Sequence, residues 1–108
     1  MISAKNQWHL ECVGKGWHPL VLPLIEQCEA EDVKVFQVKE KFGGLRFYTD
    51  GNTSEKLNHA IDSAEVACAK TCEECGAPGT LRTGGWLKTL CDVHDTGKAD
   101  WMKADAED

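Results

Sequence analysis

The chain has 108 residues, of which 42% are hydrophobic and 28% charged, and its formal net charge is −6. This length suits one small domain with an appended module, and the composition argues against disorder over the whole chain. The acidic balance disfavours non-specific binding to nucleic acid, which usually requires a basic surface.

The N-terminal segment and the hydropathy pattern bear on localisation. The first residues contain no apolar region of the kind found in secretory signals, and no run approaches the ~18 apolar residues of a membrane span. We therefore expect a cytoplasmic protein without a membrane partner. In that reducing compartment, six cysteines indicate metal binding or buried thiols before disulfides.

Residues 1–70 predict an α+β core of helix, hairpin and helix. After a short N-terminal helix and a turn, Pro19 can occupy the first turn of a helix that is expected to end near residues 29–32. Its apolar residues fall at helical spacing: Leu20, Val21, Leu24, Ile25 and Cys28. The β-rich segments 33–39 and 45–49 then predict a hairpin, with Gly43 and Gly44 supplying the positive φ angles of its loop.

The core is expected to close with one more helix. Thr53 or Ser54 can cap its N-terminus, and it should run to about Lys70. Its apolar face is formed by Leu57, Ile61, Ala64 and Cys68. Because free cysteine is among the most frequently buried residues, Cys12, Cys28 and Cys68 are all expected in the core.

The strongest chemical signal lies in residues 71–108. Cys72 and Cys75 form a C-x2-C pair, and after fifteen residues Cys91 and His94 form C-x2-H. This spacing is typical of a tetrahedral zinc site, with Gly76 permitting the tight turn after the second ligand. Three thiolates and one imidazole fill the shell of one structural Zn²⁺ and leave no position for a catalytic water. Incidental thiols and a thioredoxin-like redox pair are the alternatives.

The segment between the two ligand pairs predicts the module's architecture. Residues 80–83 and 86–90 read as a short hairpin with a Gly-Gly turn, and a helix should start near Asp92. Such an order is typical of a treble clef, whereas a zinc ribbon would take its second ligand pair from another hairpin. The helix-prone run 98–105 favours the treble clef. We accordingly divide the chain into an α+β core, 1–70, and a zinc-binding module with a C-terminal helix and acidic tail, 71–108.

Two further histidines could contribute to metal binding. His9 and His18 flank a Trp-rich segment that also contains Cys12, but their spacing fits no standard metal pattern. His59 lies off the apolar face of its helix and should be exposed. Whether Cys68 or His18 joins a metal site stays open at this point.

The predicted hairpin interleaves basic and aromatic residues. Lys39, Lys41 and Arg46 lie among Phe42, Phe47 and Tyr48, a mixture that can stack on and neutralise single-stranded nucleic acid. The alternative is that the aromatic rings fill the core and the charges are solvated. Trp17 and Trp86 could pack between the two halves or anchor a partner. The candidate partner-binding residues are Lys39, Lys41, Arg46, Tyr48 and Trp86.

Several of these segments together resemble a family of small bacteriophage and prophage proteins. The matching stretches are 16–20, 37–48 (with KFGGLRFY), 72–79, 84–86 and 89–94. The resemblance implies a phage-type accessory protein acting in the host bacterial cytoplasm, and it carries no established activity with it.

These observations favour a binding protein over an enzyme. Net charge favours a protein partner, and one version is an inhibitor of a host nucleic-acid enzyme or defence system whose basic groove attracts the acidic tail. The alternative is a nucleic-acid-binding zinc module that uses the cations Lys39, Lys41, Arg46, Arg82 and Lys88. An enzyme is the third and least favoured hypothesis, and no small-molecule substrate is evident.

Overall fold

The computed structural model describes residues 2–83 and 87–94 and confirms an α+β fold. The elements in chain order are α1 (Ala4–Glu11), a 3-10 turn (Lys15–Trp17), α2 (His18–Ala30), β1 (Val35–Lys41), β2 (Gly44–Thr49), α3 (Glu55–Cys68), β3 (Thr80–Arg82) and β4 (Lys88–Leu90). Both β1–β2 and β3–β4 are antiparallel pairs. None of the described helices is long and apolar enough to cross a membrane. The predicted Gly-Gly turn with Trp86, the run 98–105 and the acidic tail lie outside the described residues.

The two longer helices form where periodicity and capping predict them. Pro19 lies in the first turn of α2, where its missing N–H costs no hydrogen bond. Helix α3 starts at the predicted cap, since the hydroxyl of Ser54 accepts a hydrogen bond from the backbone N–H of Leu57 over 3.0 Å. The buried side of α3 includes Leu57 and Cys68, so the predicted apolar face is the one that packs on the core.

The β1–β2 turn differs from the sequence prediction by one residue. The two residues with positive φ are Phe42 (56°) and Gly43 (79°), while Gly44 belongs to β2. This register places Val38 opposite Phe47, and both are buried. The register is therefore set by the pairing of two apolar side chains on the core face, and it moves the turn away from the Gly-Gly pair.

One core cluster runs through α1, α2, the hairpin and α3, and it includes the fully buried Trp17, Cys28 and Cys68. Cys12 was expected there and is instead exposed. The residue caps the C-terminus of α1 and its thiol donates to the carbonyl of Trp8, so it lies away from the core.

Hydrogen bonds connect residues 1–70 to the segment that follows. The N–H of Gly16 donates to the carbonyl of Glu73 over 2.8 Å. A second bond joins the β1–β2 turn to β4, since the hydroxyl of Thr89 donates to the carbonyl of Gly43 over 2.6 Å. The division at residue 70 remains a prediction, but the two segments share a bonded junction.

Candidate metal centre

The first ligand pair lies on a tight turn formed by residues 72–76. The turn closes with a hydrogen bond from the Gly76 N–H to the Cys72 carbonyl over 3.0 Å, and Gly76 has φ +85°, which favours glycine. Backbone N–H groups point at both sulfurs: Glu74 donates to Cys72 Sγ at 3.4 Å and Ala77 to Cys75 Sγ at 3.5 Å. The turn thus presents two thiols, each of which has a backbone N–H donor that favours its thiolate.

The second ligand pair follows β4 directly. Cys91 is the residue after the strand, and residues 92–94 are helical, which brings His94 back toward the first pair. The guanidinium of Arg82 fixes this corner by donating to the carbonyl of Leu90 over 3.0 and 2.9 Å and to Asp92 over 3.0 Å. The predicted short hairpin therefore has a specific role, because it carries Cys91 and His94 to the turn of residues 72–76.

The four predicted ligands converge. Their ligand atoms all lie within 4.8 Å of one another, and the group can hold a metal ion. Cys75 Sγ lies 3.7 Å from Cys91 Sγ, while His94 Nδ1 lies 3.6 Å from Cys72 Sγ and 3.3 Å from Cys91 Sγ. Cys72 and Cys91 are buried, Cys75 and His94 are exposed, and all six cysteines of the chain are free thiols.

The surroundings of the three thiols shift their pKa values in different directions. Burial raises the pKa of Cys72, but the N–H groups of Cys91, Glu74 and Cys75 outweigh it and the net pKa is lowered. The His94 N–H is the largest influence on Cys91, whose pKa is also lowered. The Ala77 N–H favours the thiolate of Cys75, yet desolvation and the neighbouring sulfurs of Cys91 and Cys72 leave its pKa raised. The thiolate form is therefore favoured at Cys72 and Cys91 and disfavoured at Cys75.

Two glycines let the core approach this turn closely. A Cβ on Gly16 would lie 2.0 Å from the carbonyl oxygen of Cys72 and 2.6 Å from the nitrogen of Gly76. A Cβ on Gly14 would lie 2.2 Å from the carbonyl oxygen of Glu73. Both conflicts are with backbone atoms, which cannot rotate away as a flexible side chain could. From the sequence alone, this segment indicates only a turn after the first helix.

Glu73, between the first two ligands, was not singled out from the sequence. Its side chain is buried and accepts hydrogen bonds from the Thr89 N–H at 2.8 Å and from Lys88 Nζ at 3.5 Å. Burial raises the pKa of its carboxyl group despite these donors. Glu73 therefore ties the first ligand pair to β4. The sequence holds no local signal for this role, because both partners come from the far side of the β3–β4 hairpin.

The other metal candidates do not join the cluster. The ring of His18 donates through Nε2 to the carbonyl of Val13 over 3.1 Å. His9 is buried, and neither of its ring nitrogens has a hydrogen-bond partner among the described residues. Cys68 is buried on the core side of α3. His59 is exposed, as predicted.

Four of the five candidate partner-binding residues lie together on one surface. Strand pairing places Gln37 opposite Tyr48, Lys39 opposite Arg46 and Lys41 opposite Gly44. We call the surface formed by Gln37, Lys39, Lys41, Arg46 and Tyr48, with Phe42 at its tip, the outer hairpin face. It bears three cations and no carboxylate. Trp86, the fifth candidate, lies outside the described residues.

The aromatic residues of the hairpin divide between core and solvent. Phe47 is buried, as the core alternative predicts, whereas Phe42 and Tyr48 are 63% and 47% exposed. Arg82 and Lys88, the other two cations of the nucleic-acid hypothesis, lie in the β3–β4 hairpin. Arg82 forms a salt bridge with Asp92 there, and Lys88 forms one with Glu73.

Comparisons with protein-family models, with curated proteins and with solved structures gave no match. The resemblance to small phage proteins therefore stays an expectation from the sequence motifs.

Proposed function

We propose that this chain is a zinc-stabilised binding protein, of the phage accessory type that the motifs imply, and that its metal is structural. The observation that carries the proposal is that the ligand atoms of Cys72, Cys75, Cys91 and His94 lie within 4.8 Å of one another, beside a core to which the turn of residues 72–76 is hydrogen-bonded. The proposal has three parts: the identity of the metal, its structural role and the binding surface.

Donor type and spacing favour zinc. Three thiolates and one imidazole form one of the common donor sets of structural zinc sites. Zinc–sulfur and zinc–nitrogen bonds of about 2.3 and 2.0 Å place tetrahedral ligands about 3.8 Å apart for two sulfurs and about 3.5 Å for sulfur and nitrogen. The sulfur–sulfur separation of 3.7 Å and the nitrogen–sulfur separations of 3.6 and 3.3 Å are close to these values.

The same arrangement supports a structural role for the metal. Four protein donors complete a tetrahedral shell, so a bound zinc ion would have no site for a reacting water. The order of tight turn, β3–β4 hairpin and helical residues 92–94 also favours the treble-clef arrangement over a zinc ribbon. Since residues 14–17 pack on the turn, metal binding would fold the module and complete the core together.

The outer hairpin face is the proposed binding surface. The net charge of the whole chain, −6, favours a protein partner over nucleic acid. The outer hairpin face, however, is locally basic. Its complement is therefore an anionic macromolecule, either an acidic protein surface or a nucleic acid. An inhibitor of a host enzyme or defence protein is one form of the first case.

Native mass spectrometry tests the metal part. We expect one zinc ion per chain, loss of the ion and of cooperative unfolding in Cys91→Ser, and retention of both in Cys12→Ser, which changes an exposed thiol outside the cluster. A folded wild-type protein that binds no zinc would contradict the proposal.

A pull-down from bacterial lysate tests the surface. Wild type is compared with Lys39→Glu/Arg46→Glu, and zinc content is checked for both. A partner that is lost on charge reversal supports the proposed face, whether it is a protein or nuclease-sensitive material. Equal recovery by the zinc-loaded reversal variant would rule this face out.

A further inference from the structure

We propose that the outer hairpin face binds single-stranded nucleic acid, with unpaired bases stacking on Tyr48 and Phe42 and phosphates contacting Lys39, Lys41 and Arg46. This inference rests on the proposed binding function and names the chemical class of the partner.

The register of the hairpin concentrates positive charge. Lys39 lies directly opposite Arg46, and Lys41 follows on the same side of β1. Like charges opposite each other destabilise a strand pair. Within residues 2–83 and 87–94 none of these three cations forms a salt bridge; Glu65 on α3 acts on Arg46 electrostatically but is partly buried. A bound anionic chain would relieve the repulsion.

The rings of Tyr48 and Phe42 each have a lysine ammonium group over them. Lys39 Nζ lies 6.0 Å from the ring centroid of Tyr48, and Lys41 Nζ lies 5.5 Å from that of Phe42. A base can stack on the ring while the neighbouring ammonium group pairs with a phosphate, so each ring and its lysine match one nucleotide. The outer hairpin face has one such pair at each end: Tyr48 lies opposite Gln37, and Phe42 follows Lys41. Gln37 and Lys41 are about 13 Å apart along the strand.

The tip of the hairpin holds its aromatic ring at a conformational cost. Positive φ at Phe42 and Gly43 is the pattern of a type I′ turn, for which Asn-Gly is the favoured pair. A bulky residue at positive φ is a true outlier. The turn is fixed by the carboxylate of Glu40, which accepts the Gly43 N–H over 2.7 Å, and by the hydroxyl of Thr89, which donates to the Gly43 carbonyl over 2.6 Å. An exposed ring kept in a strained position points to use of that ring in binding.

These features favour single strands over the other anionic partners. Base faces inside a duplex are already stacked, so exposed rings gain nothing from them. An acidic protein surface would satisfy the three cations, but it does not repeat an aromatic base beside each anionic group. A single-stranded nucleic acid offers both groups at every step.

Fluorescence anisotropy with a labelled 12-nucleotide oligo(dT) and the matching oligo(rU) tests the inference on the zinc-loaded full chain. Three phosphate contacts predict that log K falls against log salt with a slope of about −2. Tyr48→Ala and Phe42→Asn should each weaken binding about 5- to 100-fold. Phe42→Asn should keep or raise the melting temperature, because asparagine suits the turn. The exposed residues Lys56 and Val66, on α3, supply the controls: Lys56→Gln and Val66→Ala should bind as wild type does.

Three results would overturn the inference. One is equal affinity for a 12-base-pair duplex, which would indicate phosphate contacts alone. Another is unchanged binding by Tyr48→Ala and Phe42→Asn. The last is no binding to either oligonucleotide at about 50 mM salt. If a protein is still captured and is lost in Lys39→Glu/Arg46→Glu, the proposed function stands while the nucleic-acid inference fails.

Discussion

The indole N–H of Trp17 donates a hydrogen bond to the backbone carbonyl of Thr71 over 2.9 Å and so joins residues 54 positions apart. Trp17 is 0% exposed, and Thr71 immediately precedes Cys72, the first predicted metal ligand. A fully buried tryptophan of the core is thereby bonded to the start of the candidate metal centre.

We expect Trp17→Phe to lower the free energy of unfolding by about 2–3 kcal/mol, because it leaves a cavity and an unsatisfied carbonyl. It should also weaken zinc affinity about 10-fold, since it loosens the support of the ligands. Urea unfolding and competition with a chromophoric chelator measure the two effects. Trp8→Phe, at a side chain that is 61% exposed, should stay within about 0.5 kcal/mol. Equal effects of the two changes would show that the bond does not couple core and metal.

Gly16→Ala tests the close approach of the core to the turn of residues 72–76. Its Cβ would meet backbone atoms at 2.0 to 2.8 Å, so we expect a loss of about 3 kcal/mol together with reduced zinc content. Gly44→Ala is the matched control: the nearest atom to its Cβ is 3.6 Å away, and its effect should be below about 1 kcal/mol. Thermal unfolding and zinc analysis report both. A zinc-loaded Gly16→Ala of normal stability would contradict the packing.

Thiol reactivity distinguishes the three kinds of cysteine. Burial raises the pKa of Cys28 to about 11, with the acids Glu31, Asp50 and Glu29 adding to it. Burial raises the pKa of Cys68 to about 12, with contributions from Glu65 and Glu73. Near pH 7.5 fewer than about one in a thousand of these groups is a thiolate, which is the reactive form.

With zinc bound, a chromogenic disulfide reagent should therefore react rapidly with the thiol of Cys12 alone, and this reaction should be absent in Cys12→Ser. The three predicted ligands, Cys72, Cys75 and Cys91, should react after a chelator is added. Cys28 and Cys68 should react only in denaturant. Rapid reaction of Cys28 or Cys68 in the native protein would contradict their burial.

His9 gives the stability a pH dependence. Burial, and secondly the charge of Lys5, lower the pKa of His9 below its ordinary value of 6.5. A base whose folded pKa is depressed contributes stability above its unfolded pKa and loses it as pH falls through the folded pKa. We expect wild type to lose stability relative to His9→Leu as pH falls from 7.5 to 5. Urea titrations of the two zinc-loaded proteins measure the difference in their free energies of unfolding at each pH. Metal release affects both proteins alike and therefore cancels in this difference. A constant difference would show that His9 does not titrate.

The parts that sequence alone predicts are those fixed by local patterns. Apolar spacing places α2 and α3, and Ser54 marks the start of α3. The cysteine and histidine spacing identifies all four residues of the candidate metal site, because a tight turn and one hairpin suffice to bring such pairs together.

The parts that sequence misses depend on contacts between distant segments. The hairpin turn falls on Phe42 and Gly43 because Val38 and Phe47 pair on the core face, which the Gly-Gly signal does not encode. Cys12 is exposed because it caps the C-terminus of α1 and its thiol bonds back to the carbonyl of Trp8. The packing of Gly16 on the ligand turn joins residues far apart in sequence, so no local window reveals it.

The bond between Trp17 and Thr71 also sets an order of events during synthesis. The indole leaves the ribosome 54 residues before its partner, and the ligand turn waits longer still for Cys91 and His94. With zinc as the metal, a newly made chain keeps this part of its core open until the last ligand emerges and an ion is captured. Cellular zinc supply would then decide how long each new molecule remains accessible to proteases.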